Sequence, residues 1–155
     1  MNKRTIWAYG IFIGIALGLG VLSAVLNAGQ FETPELVRPP LSPPAWLFPV
    51  VWTLLFTLMG VSAARVWLSD SPAVSDALFV WATQLVVNFL WTVFYFRFRA
   101  LLLSFFWLRF LLALVGLMTV RFRRIDRRAG NLQIPYLIWL GFAGYLNFAT
   151  WMLNR

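Results

Sequence analysis

Residues 38–60 read RPPLSPPAWLFPVVWTLLFTLMG, and the reading of this stretch decides the fold. Pro39, Pro40, Pro43 and Pro44 crowd its first half, and an apolar run with Trp46, Phe48 and Trp52 fills its second. A residue that precedes a proline is pushed toward extended geometry, so the segment ahead of Pro44 is not helical. A proline in the first turn of a helix loses nothing, because that N–H has no intrahelical partner. The spacing therefore predicts a stiff loop that feeds a helix over about 45–68. On that helix Phe48, Trp52, Phe56 and Met59 step by three or four and share a face. The join between stiff loop and aromatic face is the first candidate for a binding site.

Working outward, the chain has 155 residues, of which 61% are hydrophobic and 12% charged. That is the length of one domain and too apolar for a soluble one. A bilayer span takes about 20 apolar residues, and five such stretches fit, at about 6–26, 45–68, 77–96, 101–122 and 132–154. The expectation is an all-α polytopic membrane protein, a single domain over 1–155, built as a bundle of five transmembrane helices. The first apolar run is longer than the ~7–15 residues of a signal-peptide core, so it reads as a span.

The chain has no His and no Cys. Serine-histidine triads, thiol nucleophiles, His/Cys zinc sites and His-ligated haem are thereby excluded, and no metal site is expected. A net charge of +8 would suggest nucleic acid in a soluble protein. In a membrane protein the basic residues belong at helix ends, where they fix orientation and touch anionic lipid, so no nucleic-acid partner is expected. With the N-terminus inside, the inner face would hold Lys3, Arg4, Arg65 and the five arginines of 121–128, against Arg38, Arg97, Arg99 and Arg155 outside. This excess favours a cytoplasmic N-terminus.

Several stripes stand out at helical spacing. Gly10, Gly14 and Gly18 form a small-residue line on the first helix, suited equally to packing inside the bundle or to a dimer face. Ser23 lies near the far end of the same helix. Residues 27–42 form a loop of unusual length, either a lid or a linker. Ser75 or Asp76 is placed to cap the third helix. On that helix Gln84, Asn88, Trp91 and Tyr95 share a face, which sets two amides at mid-membrane depth. They serve either interhelical hydrogen bonds or a polar patch in an aromatic pocket. Arg109 lies well inside the fourth span with no acidic residue in any span, and its partner is a carbonyl, an amide, a lipid phosphate or a ligand carboxylate. Residues 121–131 read as a basic loop. The fifth helix, with Pro135 in its first turn, aligns Tyr136, Trp139, Ala143, Asn147 and Trp151. A pocket of Trp52, Phe56, Asn88, Trp91, Trp139, Ala143 and Asn147 suits a large, flat, mostly apolar ligand, on which rings stack while amides set its orientation.

Three motifs carry a family resemblance. Arg38-Pro39, Pro43-Pro44, Trp46, Phe48 and Trp52-Thr53 form the first; Gln84-Leu85, Asn88 and Trp91 with Phe94-Tyr95-Phe96 the second. Pro135-Tyr136, Trp139, Phe142-Ala143 and Leu146-Asn147 form the third. In order and spacing the chain resembles the tryptophan-rich sensory protein (TspO/MBR) family, also called the translocator protein or peripheral-type benzodiazepine receptor family. The resemblance implies a receptor-like pocket for porphyrins, notably protoporphyrin IX or haem, and for sterol-like molecules, with the 27–42 loop folding over it. It implies a bacterial origin; the helical spans and the lack of a cleavable signal then favour an inner membrane, and a homodimer through the glycine line is expected. It also implies pocket-lining roles for Ser23, Pro43, Trp52, Phe56, Asn88, Trp91, Trp139 and Ala143, and a link of Trp52 and Trp139 to light-driven oxidative breakdown of the bound porphyrin. No cofactor is required for this, since a metal-free porphyrin needs no axial ligand. Where the family often has Trp-Tyr early in the loop and Trp after the basic-proline pair, this chain has Glu32-Thr33 and Pro40-Leu41. The gap from Tyr145 to Arg155 is too long for the strict sterol motif.

Three functions follow in order of fit: a membrane sensor or regulator that binds a tetrapyrrole, an enzyme that degrades it oxidatively, and a transporter of porphyrins or sterol-like amphiphiles. The last ranks third because five spans do not divide into equal repeats and no span has a central break.

Overall fold

The computed structural model describes residues 1–155, and its regular structure is entirely helical. The elements are α1 (Lys3–Leu26), α2 (Leu47–Trp67), α3 (Val74–Thr92, extended by a π-helical turn over Val93–Arg97), α4 (Leu101–Ile125), α5 (Arg127–Asn131) and α6 (Ile134–Leu153). The first four long helices are each long and apolar enough to cross a bilayer. The fifth, α6, has 20 residues and a more mixed sequence that includes Tyr136, Asn147, Thr150 and two glycines. The chain is an integral membrane protein, a bundle of five long helices.

Local chemistry accounts for the boundaries. Helix α1 begins three residues before its expected start because Asn2 caps it, its Oδ1 accepting from Thr5 N at 2.9 Å. Helix α2 begins at Leu47, two residues late, because Pro44 donates no N–H and instead closes a turn through its carbonyl to Leu47 N at 3.0 Å. Neither Ser75 nor Asp76 caps α3; the helix starts a turn earlier, from Ala73, without a side-chain cap. The basic segment 121–131 is not a loop either. Helix α4 runs on to Ile125, and Asp126 caps the short α5 by accepting from Arg128 N and Ala129 N.

Helices α1 and α2 lie against each other along much of their length, and α3 packs on both, on α4 and against the core. Helix α6 packs on α4. Helices α1 and α2 come closest at Gly60, where any side chain would collide with the backbone of Ile13. Ring packing on glycine recurs at Gly20, which receives the edge of Phe56. The expected line of Gly10, Gly14 and Gly18 does not pack inside the bundle: nothing lies within contact of any of the three. The core centres on Leu55, Met59, Trp81, Leu85, Leu108, Leu111, Val115, Met118, Phe122, Tyr136 and Leu140.

Candidate ligand site between α2 and α6

Helices α2 and α6 meet through rings. Phe48 sets its ring edge-on to Trp139 with centroids 5.8 Å apart, and Trp52 meets Tyr136 in the same manner at 6.2 Å. Trp52 also lies over Phe56 at 5.6 Å, as the four-residue step predicts. Bulky rings spaced one helical turn apart hold the two backbones off each other. The seam they leave is a groove of about 520 Å³, lined by Val51, Leu54 and Leu55 from α2 and by Ile134, Pro135, Ile138, Trp139 and Phe142 from α6. Its size falls within the ~300–1,000 Å³ of small-molecule sites, and its lining is almost wholly apolar.

One polar atom in this wall has no partner. The Trp139 indole N–H is buried and unbonded. Other indoles are served: Trp81 donates to Met59 O at 3.2 Å, Trp91 to Asn147 Oδ1 at 3.2 Å and Trp107 to Val87 O at 2.8 Å. A buried donor without an acceptor costs about 1–3 kcal/mol.

The mid-membrane amides are spent on the bundle itself. Asn88 Nδ2 donates to the Tyr136 hydroxyl at 2.6 Å, and that hydroxyl donates to Gln84 Oε1 at 2.9 Å. Asn147 accepts from Trp91 and donates to Leu101 O at 2.8 Å, so it ties α6 to α3 and to the start of α4. Of the two readings of these amides, interhelical bonding describes what they do here. Gln133 Nε2 adds a further tie, to Ser62 Oγ at 2.6 Å.

The nine residues expected to line a pocket thus fall in different places. Trp139 lines the groove. Trp52 and Phe56 stand on α2 beside the groove, Asn88, Trp91 and Asn147 join α3 to α6 behind it, and Ala143 is buried in the core. Ser23 lies at the loop end of α1, where its hydroxyl pairs with Thr92 Oγ1 at 2.9 Å, and Pro43 is half-buried in the turn that leads into α2. Tyr136, Ile138 and Phe142 are site residues that the spacing argument did not select. Tyr136 stood on the α6 stripe, but its role as the hub between α3 and α6 depends on which helices face it. Ile138 and Phe142 lie toward the membrane side of α6, where an apolar residue has no signature that separates groove from lipid contact.

The 27–42 loop is tied down beyond the groove, at the end of the bundle where α6 finishes and α4 begins. Val37 exchanges two hydrogen bonds with Asn154, Tyr145 donates to Pro40 O at 2.8 Å, and Glu35 pairs with Arg99. Phe31 stands edge-on to Phe96, in the π-helical turn, at 4.9 Å. A π-helical turn shifts the residues after it round the helix axis, and here it precedes the ion-paired Arg99. No cluster of three or more metal-ligating side chains exists in the chain.

These features define a helical membrane protein with an open apolar groove between its second and last long helices. Comparison with known proteins identifies the family: the sequence model of the TspO/MBR family matches residues 12–152, and the chain belongs to it. It is 37% identical to the tryptophan-rich protein TspO of Chlorobaculum tepidum over 99% of both chains. It is 38% identical to protein CrtK of Rhodobacter capsulatus, over 87% of this chain and 85% of that one. The translocator protein of Ovis aries is 29% identical over 78% of this chain and 73% of its own.

Proposed function

We propose that the chain is a membrane sensor or regulator that binds a tetrapyrrole of the protoporphyrin IX type at the α2/α6 seam. The observation that carries this reading is the apolar groove of about 520 Å³ with the unpaired, buried Trp139 N–H in its wall. A flat macrocycle stacks on Trp139 and Phe142, and one of its polar edge groups accepts from the indole. Trp52 forms the inner side of the seam through its contact with Tyr136. A relative from Cereibacter sphaeroides, 32% identical over 96% of this chain, is named tryptophan-rich sensory protein, which supports a sensing role. An N-terminus on the cytoplasmic side of a bacterial inner membrane accords with the arginine distribution.

A second reading, light-driven oxidation of the bound porphyrin by dioxygen, is favoured by one arrangement: Trp139 and Trp52 stand on opposite sides of the seam, each in a ring contact that bridges α2 and α6. One titration separates the two. Protoporphyrin IX is added to the detergent-solubilised chain in the dark, with tryptophan quenching as the readout, and the complex is then illuminated in air. Trp52→Phe and Trp139→Phe are measured alongside. Saturable dark binding that Trp139→Phe weakens, with no new absorbing species in light, is the result expected for a sensor. A product that forms in light and is lost in both variants assigns the oxidative reaction. Absence of saturable binding overturns the tetrapyrrole reading.

A further inference from the structure

We infer that the groove between α4 and α6 beside Arg109 is a binding site for one anionic phospholipid. Arg109 is the ninth residue of α4, about 12 Å along the helix from Leu101. Its side chain is exposed on the outer face of the bundle and makes no hydrogen bond or ion pair within the chain; both ion pairs, Arg65–Asp126 and Arg99–Glu35, lie at the helix ends. A guanidinium at this depth in hydrocarbon is costly unless an anion or water meets it.

The surface next to it is shaped. A groove of about 170 Å³ is formed by Phe105, Leu108, Arg109 and Leu112 of α4 and, on α6, by a floor of Gly141 and Gly144 with Tyr145 and Phe148 at its side. The space that a side chain would take at Gly141 and Gly144 is empty. This is room for a segment of one acyl chain, not for a ring system. Helical side chains lean toward the N-terminus of their helix, so Arg109 reaches toward the membrane surface at Leu101 and not toward the midplane. The polarity is that of a lipid: a cation on the headgroup side and an apolar slot along the chain. Charge complementarity selects a phosphodiester without a compensating amine, as in phosphatidylglycerol. Bare snorkelling of an arginine would need no slot, and a slot for any lipid would need no arginine. The site is separate from the α2/α6 groove and stands whether or not that groove binds a tetrapyrrole.

The test counts lipids retained by the purified chain in neutral detergent, by native mass spectrometry, as phosphatidylglycerol or phosphatidylcholine of the same acyl chains is added. The wild type retains one phosphatidylglycerol at about five- to tenfold lower concentration than phosphatidylcholine, the increment expected of one cation at a membrane surface. Arg109→Gln removes the preference, Gly141→Leu removes retention, and Arg123→Gln with Arg124→Gln, at the opposite end of α4, changes neither. Equal retention of the two lipids, or a preference that survives in Arg109→Gln, overturns the site. So does displacement of the lipid by inorganic phosphate, which would make it a free-anion site. A wild-type dimer that Gly141→Leu dissociates would place a second copy in the groove and overturn it as well.

Discussion

Asn154, one residue beyond the end of α6, forms a closed pair with Val37 of the long loop: Val37 N donates to its Oδ1 at 2.8 Å, and its Nδ2 donates to Val37 O at 3.0 Å. The amide completes the backbone of a loop residue much as a neighbouring strand would. Its Nδ2 also donates to Thr150 O at 2.8 Å, which keeps it aligned with the helix. Asn154→Ala removes these loop bonds together while α6 remains intact. The 27–42 loop then opens more often, and its amides exchange faster with deuterium than those of α2 and α3. An unchanged exchange rate in that loop would show that Tyr145 and the Glu35–Arg99 pair suffice to hold it.

Gly60 has no room for a methyl group, because the Ile13 backbone occupies the position a Cβ would take. Gly60→Ala must push α1 from α2, an overpacking cost of about 1–3 kcal/mol. Gly14→Ala, one turn along the same region of α1, meets nothing and leaves stability unchanged. Thermal unfolding in detergent compares the two, and a Gly60→Ala protein as stable as wild type would refute the close approach.

Tyr136 is fully buried, and its hydroxyl is the only atom that joins Gln84 to Asn88. Tyr136→Phe keeps the ring against Trp52 and removes that join, leaving both amides short of a partner. Bonds of this kind between membrane helices are worth about 0.6–2 kcal/mol each. The variant is expected to lose stability on that scale while retaining ligand binding, since the hydroxyl faces the amides. A coincident loss of binding, measured by the quenching titration, would place the hydroxyl in the ligand site.

Asp126 joins the end of α4 to Arg65 at 2.7 Å and caps α5. Desolvation alone would raise the pKa of its carboxyl, but the N–H groups of Ala129 and Arg128 and the Arg65 guanidinium outweigh it and lower the value below the usual carboxylate range. A folded-state pKa below that of the unfolded chain means stability that is present above about pH 4 and lost as pH falls through the lower folded value. Because the carboxyl is partly solvated, the contribution is small. Asp126→Asn should flatten the acid limb of the stability curve, read as melting temperature between about pH 3 and 6. An acid limb of unaltered slope would assign it to another carboxyl.

The tethered α1–α2 pair shows how far the sequence carries. Its apolar length made both helices legible, since a polar backbone in hydrocarbon must be satisfied within its own segment, and only helices do that. The prolines ahead of Ala45 set the loop for an equally local reason, although Leu41 adopts a left-handed φ of 65° that no residue type announced. The segment at 121–131 misled because its arginines look like a solvated loop, whereas Asp126 has the geometry to cap a fresh helical turn. The family was legible too, in the order of three aromatic motifs.

The seam is where sequence reasoning reached its limit. Spacing placed Trp52, Asn88, Trp91, Trp139 and Asn147 on facing stripes, but spacing assigns a face to a helix and not a neighbour to that face. Which amide meets which hydroxyl is fixed only once α3 and α6 stand opposite each other, and then Gln84, Asn88 and Asn147 are bonded within the bundle. By itself the sequence determined a membrane-spanning helical bundle, its aromatic faces and its family, because these follow from local composition and period. Only the tertiary structure decided that Trp139 lines an apolar groove with its N–H buried and unbonded, that Arg109 stands beside an empty glycine floor, and that Gly60 and not the Gly10–Gly18 line carries the close contact. Those are properties of distance between helices, and the packing of side chains over the whole bundle sets that distance.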